Sequence, residues 1–297
     1  MDYIKRDMEM NFGKLYYLTV PIGNLDDITI NVLNALKKGL YFYVEDTRSF
    51  KKLLNLYGIS IEGKNIKSYH DQSRVSVADE INQLLLEGVS IYYCSEAGSP
   101  VISDPGVGLI KSIESLNKDV QVISYGGVCS LISALEVSKV TFSKFMFHGF
   151  FPRDNKGRTS ILKQVNGISK THLFFESPHR VHKAISFIFE SGLPPDELYI
   201  CRELTKKFQE VIKVTSIDYI DKIGEVKAKG EFVIILNYFD SKSATEHISE
   251  DVVILAKEIL EGNSKPRAIA KLIAKIVKQP VKDVYLTLEK NLKNLDN

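Results

Sequence analysis

Leu15-Tyr16-Tyr17-Leu18-Thr19-Val20 runs straight into Pro21-Ile22-Gly23-Asn24-Leu25, and this pair of segments sets the reading of the chain. The first is an apolar, aromatic and β-branched run of the kind that makes a buried strand. The second is a turn, because proline cannot donate to a strand ladder and glycine permits positive φ. From Asp27 onward Ile28, Val32, Leu33 and Leu36 recur at helical spacing, with Asp or Thr available as a cap and Gly39 where the helix should stop. Strand, turn and helix make one α/β unit, and the unit repeats.

Strand-like runs follow at residues 41–44, 89–94 and 120–124, with helical patterns at 50–57, 77–87 and 107–116. The expected first domain, residues 15–124, is a mostly parallel, doubly wound sheet behind an N-terminal extension of residues 1–14. A second series starts after Gly126-Gly127. Its strands are expected at 145–148, 172–175, 198–201, 208–214 and 231–238, with helices starting near Val128, Ile161, Val181 and Ile217. Close spacing of the late strands favours antiparallel pairing, so residues 125–240 read as a second, mixed α/β domain. The polar stretch 240–245 reads as a linker to a small all-helical C-terminal domain within residues 241–297.

Composition narrows the class. A length of 297 residues is long for one core, and the 44% hydrophobic and 26% charged fractions are those of an ordinary globular protein. The net charge of +2 is too small to announce a nucleic-acid partner, so any basic surface must come from local placement. Cys94, Cys129 and Cys201 form no CxxC pair, which argues against a zinc knuckle or a disulfide framework. The charged N-terminus lacks the apolar core of a secretory signal, and no apolar run approaches the roughly 20 residues that span a bilayer. A cytoplasmic protein with no membrane partner is expected.

In a doubly wound sheet, ligands sit on the loops at the carboxyl ends of strands. Four such loops are rich in Gly, Pro and charge: 21–25, 45–48, 95–106 and 124–129. Any one is explained as a structural turn, but four at one sheet edge point to a ligand approached closely by backbone groups. The sequence carries no GxxxxGK[ST] phosphate loop and no GxGxxG register. Neither HExxH nor a Cys/His cluster with ligand spacing appears, so no metal is expected.

A second charged set, with Arg153 and Arg158, Glu176 and Arg180, and Arg202, Glu203 and Lys206, carries enough positive charge for a polyphosphate backbone. Its interleaved acids suit a salt-bridged domain interface equally well. In the tail, Arg267, Lys271, Lys275 and Lys278 fall on one helical face, opposite Ala268, Ile269, Leu272, Ile273, Ile276 and Val277. That stripe reads either as a solvated face or as a phosphate-contacting helix.

Taken in order, TVPIGNLDDIT, VEDTRSFKKLLNLYGI, SEAGSPVISDPG, GFFPR, FFESPHRV, CRELTK and KGEFVIIL closely resemble the ribosomal RNA small-subunit methyltransferase I family of the tetrapyrrole methylase superfamily. The resemblance runs from Leu15 to Tyr238 and implies two α/β domains with S-adenosylmethionine in the cleft between them, as a homodimer. It implies methylation of a cytidine ribose 2′-hydroxyl in the decoding region of 16S rRNA, with free rRNA or the small ribosomal subunit as partner. The cofactor residues carried over are Pro21, Gly23, Ser95, Glu96, Ala97, Gly98, Ser99, Pro100, Asp104, Gly106, Val128, Cys129 and Ser130. The substrate-facing set is Glu45, Asp46, Arg48, Glu176, Arg180, Arg202 and Glu203, and all of these but Arg202 are the candidates for catalysis.

The chain departs from the family pattern at Glu96, where Asp is usual, at Ser99, where Thr is usual, and at Gly126-Gly127-Val128-Cys129, where a Pro-Gly-Pro-Cys run is common. Losing two prolines raises the ordering cost of that loop by up to roughly 1 kcal/mol per site. Methyl transfer needs in-line approach and removal of the hydroxyl proton, with Glu45, Asp46, Glu176 and Glu203 as possible bases and Arg48 or Arg180 as an electrostatic aid. Two rivals stay open: a superfamily enzyme acting on a tetrapyrrole or a diphthamide precursor, and a non-catalytic RNA-binding or ribosome-assembly factor.

Overall fold

The computed structural model describes residues 12–69, 74–166, 170–239, 266–277, 281–282 and 284–286. Strands β1 (Lys14–Leu18), β2 (Tyr41–Val44), β3 (Asn65–Ser68), β4 (Ile91–Cys94) and β5 (Gln121–Tyr125) form one fully parallel sheet in the order β3-β2-β4-β1-β5. Side chains alternate across it with the two-residue period of a strand. Leu15, Tyr17, Tyr43, Ile91 and Tyr93 meet helices α3 (Arg74–Leu86) and α4 (Gly106–Leu116) on one face. Leu18, Phe42, Val44 and Cys94 meet α1 (Ile30–Lys38) and α2 (Thr47–Leu56) on the other. Helices on both faces make the sheet doubly wound, as the alternating pattern predicts.

Helix α5 (Ser130–Ser138) leads to a second sheet built from β6 (Phe145–Phe150), β7 (Thr171–Glu176), β8 (Glu197–Arg202), β9 (Glu210–Val214) and β10 (Phe232–Asn237), in the order β6-β7-β10-β8-β9. Only β6 and β7 run parallel; the other neighbours are antiparallel, which makes this half mixed as expected. One face packs on α6 (Asn155–Asn166), α7 (Val181–Glu190) and α8 (Tyr219–Glu225). The opposite face, with Leu173, Tyr199, Cys201, Val233 and Ile235, meets α5 and the first-half residues Ile22 and Ile102. The two halves therefore share an apolar seam.

Several boundaries shift for identifiable reasons. Helix α2 begins at Thr47, ahead of Phe50, because the Asp46 carboxylate accepts from the N–H groups of Arg48 and Ser49 (2.7 and 2.9 Å). Helix α6 begins at Asn155, six residues before Ile161, with Asp154 accepting from the Gly157 N–H at 2.8 Å. Strand β3, Asn65-Ile66-Lys67-Ser68, is too polar to read as a strand and sits at the sheet edge. In the tail, α9 (Pro266–Val277) buries Ile269, Ala270, Ile273 and Ala274 while exposing Arg267 and Lys271. The expected linker at 240–245 lies outside the described residues, as does the start of the expected helical domain. No helix among the described residues is long and apolar enough to cross a membrane.

Candidate functional site

Strands β1 and β4 are neighbours whose following loops part company. The loop after β1 turns to α1 on one face, and the loop after β4 turns to α4 on the other. This divergence opens a crevice at the carboxyl edge, the position where open α/β sheets bind ligands. Val20 and Gly98 stitch the loops together by exchanging both backbone hydrogen bonds (3.1 and 3.0 Å), with Gly98 at φ +69°. Beyond the stitch lies a cavity of about 380 Å³ between the halves. Its first-half wall is Ile22, Ala97, Gly98, Ser99, Ile102, Ser103 and Asp104, continued by Cys129 and Ser130. Its second-half wall is Phe150, Phe175, Glu176, Ser177, Pro178, Leu204 and the stretch from Gly230 to Val233. That size lies within the range of small-molecule sites.

Ala97, Gly98, Ser99, Asp104, Cys129, Ser130 and Glu176 among the expected site residues thus come together on the cavity wall. Others support it from behind. Gly106 is packed so closely that a Cβ would stand 2.0 Å from the Pro100 carbonyl oxygen, which accepts from the Gly106 N–H at 3.0 Å. Ser95 is buried and donates to the Ala97 carbonyl at 3.1 Å. Pro21 is buried and Val128 half-buried, both off the cavity wall. A Cβ on Gly23 would meet the aliphatic stem of Lys206, so this glycine admits a contact between the halves. Glu96 is exposed at the rim, where its N–H donates to Glu45 and its carboxylate accepts from Ser49 (both 3.4 Å).

Sequence reasoning missed Ile22, Ile102, Phe150, Phe175, Leu204, Phe232 and Val233, all apolar residues indistinguishable from core by pattern. Backbone strain marks the same region. Of the four non-glycine residues at positive φ among those described, Ser103 lies on the wall, and Glu203 and Thr205 flank Leu204.

Charge concentrates on two carboxylates. Burial, with Glu45 and Glu96 nearby, pushes the Asp104 carboxyl up to about 6, against the opposing pull of the Ser95 hydroxyl. Glu176 is 3% exposed; its Oε1 accepts from the Ser177 N–H at 2.6 Å and pairs with Arg180, while its Oε2 has no hydrogen-bond partner among the described residues. A buried carboxylate oxygen without a donor is costly, and Glu176 belongs to the cavity wall, where a ligand can supply one. Asp46 instead caps α2, and its backbone and Arg48 contacts hold it below the usual carboxylate range. Partial burial would raise Glu203, but the Lys206 ion pair and the Glu231 N–H outweigh it and hold the carboxyl low.

The basic residues divide. Arg153 is exposed, as are Arg267 and Lys271 on α9. The Lys275 side chain and all of Lys278 lie outside the described residues. Arg158 corrects the expectation of an RNA contact: it is 1% exposed, lies between the rings of Phe151 and Phe187, and donates from Nε to the Pro152 carbonyl at 2.9 Å. Arg202 is likewise buried, paired with Glu210 at 2.9 Å, and Lys206 is held between Glu203 and Glu231 at 2.8 Å each.

The family model of the tetrapyrrole (corrin/porphyrin) methylases matches residues 14–218. A ribosomal RNA small subunit methyltransferase I of Thermotoga maritima is 37% identical over 225 residues, covering 76% of this chain and 98% of its own. The protein of that name from Bacillus subtilis is 31% identical over 293 residues, covering 95% and 98%. Among solved structures, diphthine synthase (TM-score 0.58, 12% identity, 76% of this chain and 90% of that one) and the methyltransferase CobJ (0.57, 14%, 76% and 94%) share the fold. A sheet wound on both faces, a cavity at its switch point and relatives of matching length agree: the chain belongs to the ribosomal RNA small subunit methyltransferase I family, within the tetrapyrrole (corrin/porphyrin) methylases.

Proposed function

We propose that the chain methylates the 2′-hydroxyl of a cytidine ribose in the decoding region of 16S rRNA, using S-adenosylmethionine. The observation that carries the site assignment is the buried Glu176 carboxylate, a residue of the cavity wall whose Oε2 has no hydrogen-bond partner among the described residues. The residues present fit the cofactor. Ile22, Ile102, Phe175 and Val233 offer an apolar wall, Gly98 and Ser99 a close backbone approach, and Asp104 beside Glu45 and Glu96 a negative potential suited to a cation.

When bound, S-adenosylmethionine supplies an electrophilic methyl group on a positively charged sulfur. The protein's part is to hold the acceptor hydroxyl in line and take its proton. Glu176 is the base favoured by geometry, since Asp46 is spent on a helix cap and Glu203 on Lys206, while Glu45 lies behind the rim beside the Glu96 N–H. Arg180 and the Ser177 N–H fix one Glu176 oxygen; the other has no partner among the described residues and is shielded from solvent, so the 176–180 turn must shift slightly for it to meet the substrate. Arg48 is 92% exposed by side chain and paired with Asp46, an arrangement that suits a peripheral role. Homodimerisation and a cytoplasmic location belong to the same proposal and rest on the family; sedimentation of the purified chain tests the first.

The test is a tritiated-methyl assay on Glu176→Gln. Methyl transfer is expected to fall about 10²–10⁴-fold, the usual weight of a general base, while cofactor affinity stays within a few-fold. Full turnover in that variant removes the base assignment. Mass-spectrometric mapping of ribose methylation in 16S rRNA from cells lacking the protein tests the substrate, and absence of S-adenosylmethionine binding in calorimetry would favour the non-catalytic RNA-binding reading.

A further inference from the structure

We infer that Phe150 is the platform on which the base of the target nucleotide stacks; the inference rests on the RNA substrate proposed above. Phe150 ends the edge strand β6, lines the cavity and is 57% exposed. The chain builds this exposure deliberately. The pairing of β6 with β7 slips between Phe147 and Phe150, and Gly149 within the slip adopts φ +74° with nothing within 4 Å of a would-be Cβ. Such bulges re-aim a side chain at a sheet edge, and the glycine serves the backbone turn rather than packing.

The ring so presented is braced. It meets Phe175 edge to face at 5.6 Å between centroids, and Phe175 rests in turn on Phe147 at 4.8 Å. On the other side, Phe151 is buried, its N–H donates to the Phe175 carbonyl at 2.9 Å, and its ring stands 5.7 Å from the Arg158 guanidinium. Buried Arg158 thus holds the 150–152 corner by ring and carbonyl together. A rigid, half-open aromatic beside a methyl-donor cavity suits one ligand chemistry in particular. A nucleotide that brings its ribose to the cavity has left its stack, and an aromatic face replaces the lost neighbour without reading sequence. Exposed Arg153 and Lys156, directly after the ring, offer charge for the adjoining phosphates.

The test uses 16S rRNA transcribed in vitro, which carries no methylation, with the full chain as Phe150→Ala, Phe150→Leu and Phe150→Trp. Ala and Leu are expected to weaken RNA binding about 5- to 150-fold, the range of one base stack, and Trp to restore it within about threefold. The slope of log affinity against log salt should stay unchanged in all three, because no phosphate contact is removed, whereas Arg153→Ala lowers it by about one. S-adenosylmethionine affinity by calorimetry is measured alongside, and the loss of RNA affinity is expected to exceed any loss of cofactor affinity. Wild-type RNA affinity in Phe150→Leu overturns the inference, as does a tenfold loss of cofactor affinity with RNA binding intact, which would make the ring a cofactor wall. Failure of the unaltered chain to bind either this RNA or the small ribosomal subunit would instead sink the function reading, before any variant is compared.

Discussion

Replacing Asp104 by asparagine should make the protein more stable and worse at holding its cofactor. The Asp104 carboxyl is raised from its ordinary 3.8 to about 6, first by burial and then by Glu45 and Glu96. At ~1.4 kcal/mol per tenfold this opposes the ionised form by roughly 3 kcal/mol. The residue is only half-buried, so screening brings the contribution to about 1–2 kcal/mol. The sign follows from linkage. The folded chain keeps a proton that the unfolded chain releases, so stability falls as pH rises from about 4 to about 6 and is level above. Asparagine is neutral throughout. Its advantage should be complete at pH 8, about 2–5 °C in thermal midpoint, and clearly smaller at pH 5. The assay is thermal unfolding of both proteins across that range, with cofactor affinity by calorimetry alongside. A variant no more stable than wild type at pH 8, or equally favoured at pH 5 and pH 8, would refute the placement of a desolvated charge here.

Other consequences are checked by similar means. Arg158→Ala should cost about 2–4 kcal/mol in urea unfolding, through lost stem packing and the Pro152 hydrogen bond, while leaving the salt dependence of RNA binding unchanged; a shallower salt slope would return Arg158 to the RNA surface. Gly106→Ala places a methyl 2.0 Å from the Pro100 oxygen, and a loss above roughly 3 kcal/mol is expected; an unchanged denaturation midpoint would show that the loop adjusts freely. His148 is held below its ordinary range by burial, with Nε2 2.9 Å from His172 Nδ1. Its contribution to stability is therefore present above about pH 6.5 and lost as pH falls, so His148→Gln should flatten the acid limb of a pH–stability curve.

The first half was largely legible because its signals are local. Pro21 and Gly23 end a strand, Gly98 sits at positive φ, and Asp104 stands in a loop of small residues; each betrays a turn without help from distant contacts. The second half resists such reading. Phe175, Phe232 and Val233 alternate through strands buried on both faces, and only tertiary packing decides which face meets the cavity. Phe150 was hidden by a register slip, which no pattern of residue types records. Arg158 was misassigned through a phase error. A helix starting at Ile161 leaves it in a charged loop, but the Asp154 cap starts α6 at Asn155 and sets Arg158, Leu162 and Val165 on one inward stripe.

Gly23 and Lys206 come from opposite halves of the molecule and share one small volume beside the Asn24–Thr205 hydrogen bond (3.2 Å). In evolutionary terms the two positions are not independent. A lineage that enlarges residue 23 must shorten or redirect the side chain at 206, and in doing so it gives up the ion pairs with Glu203 and Glu231. Drift at this rim is thus channelled into paired exchanges, separated by 183 positions in the chain yet adjacent at the mouth of the cleft.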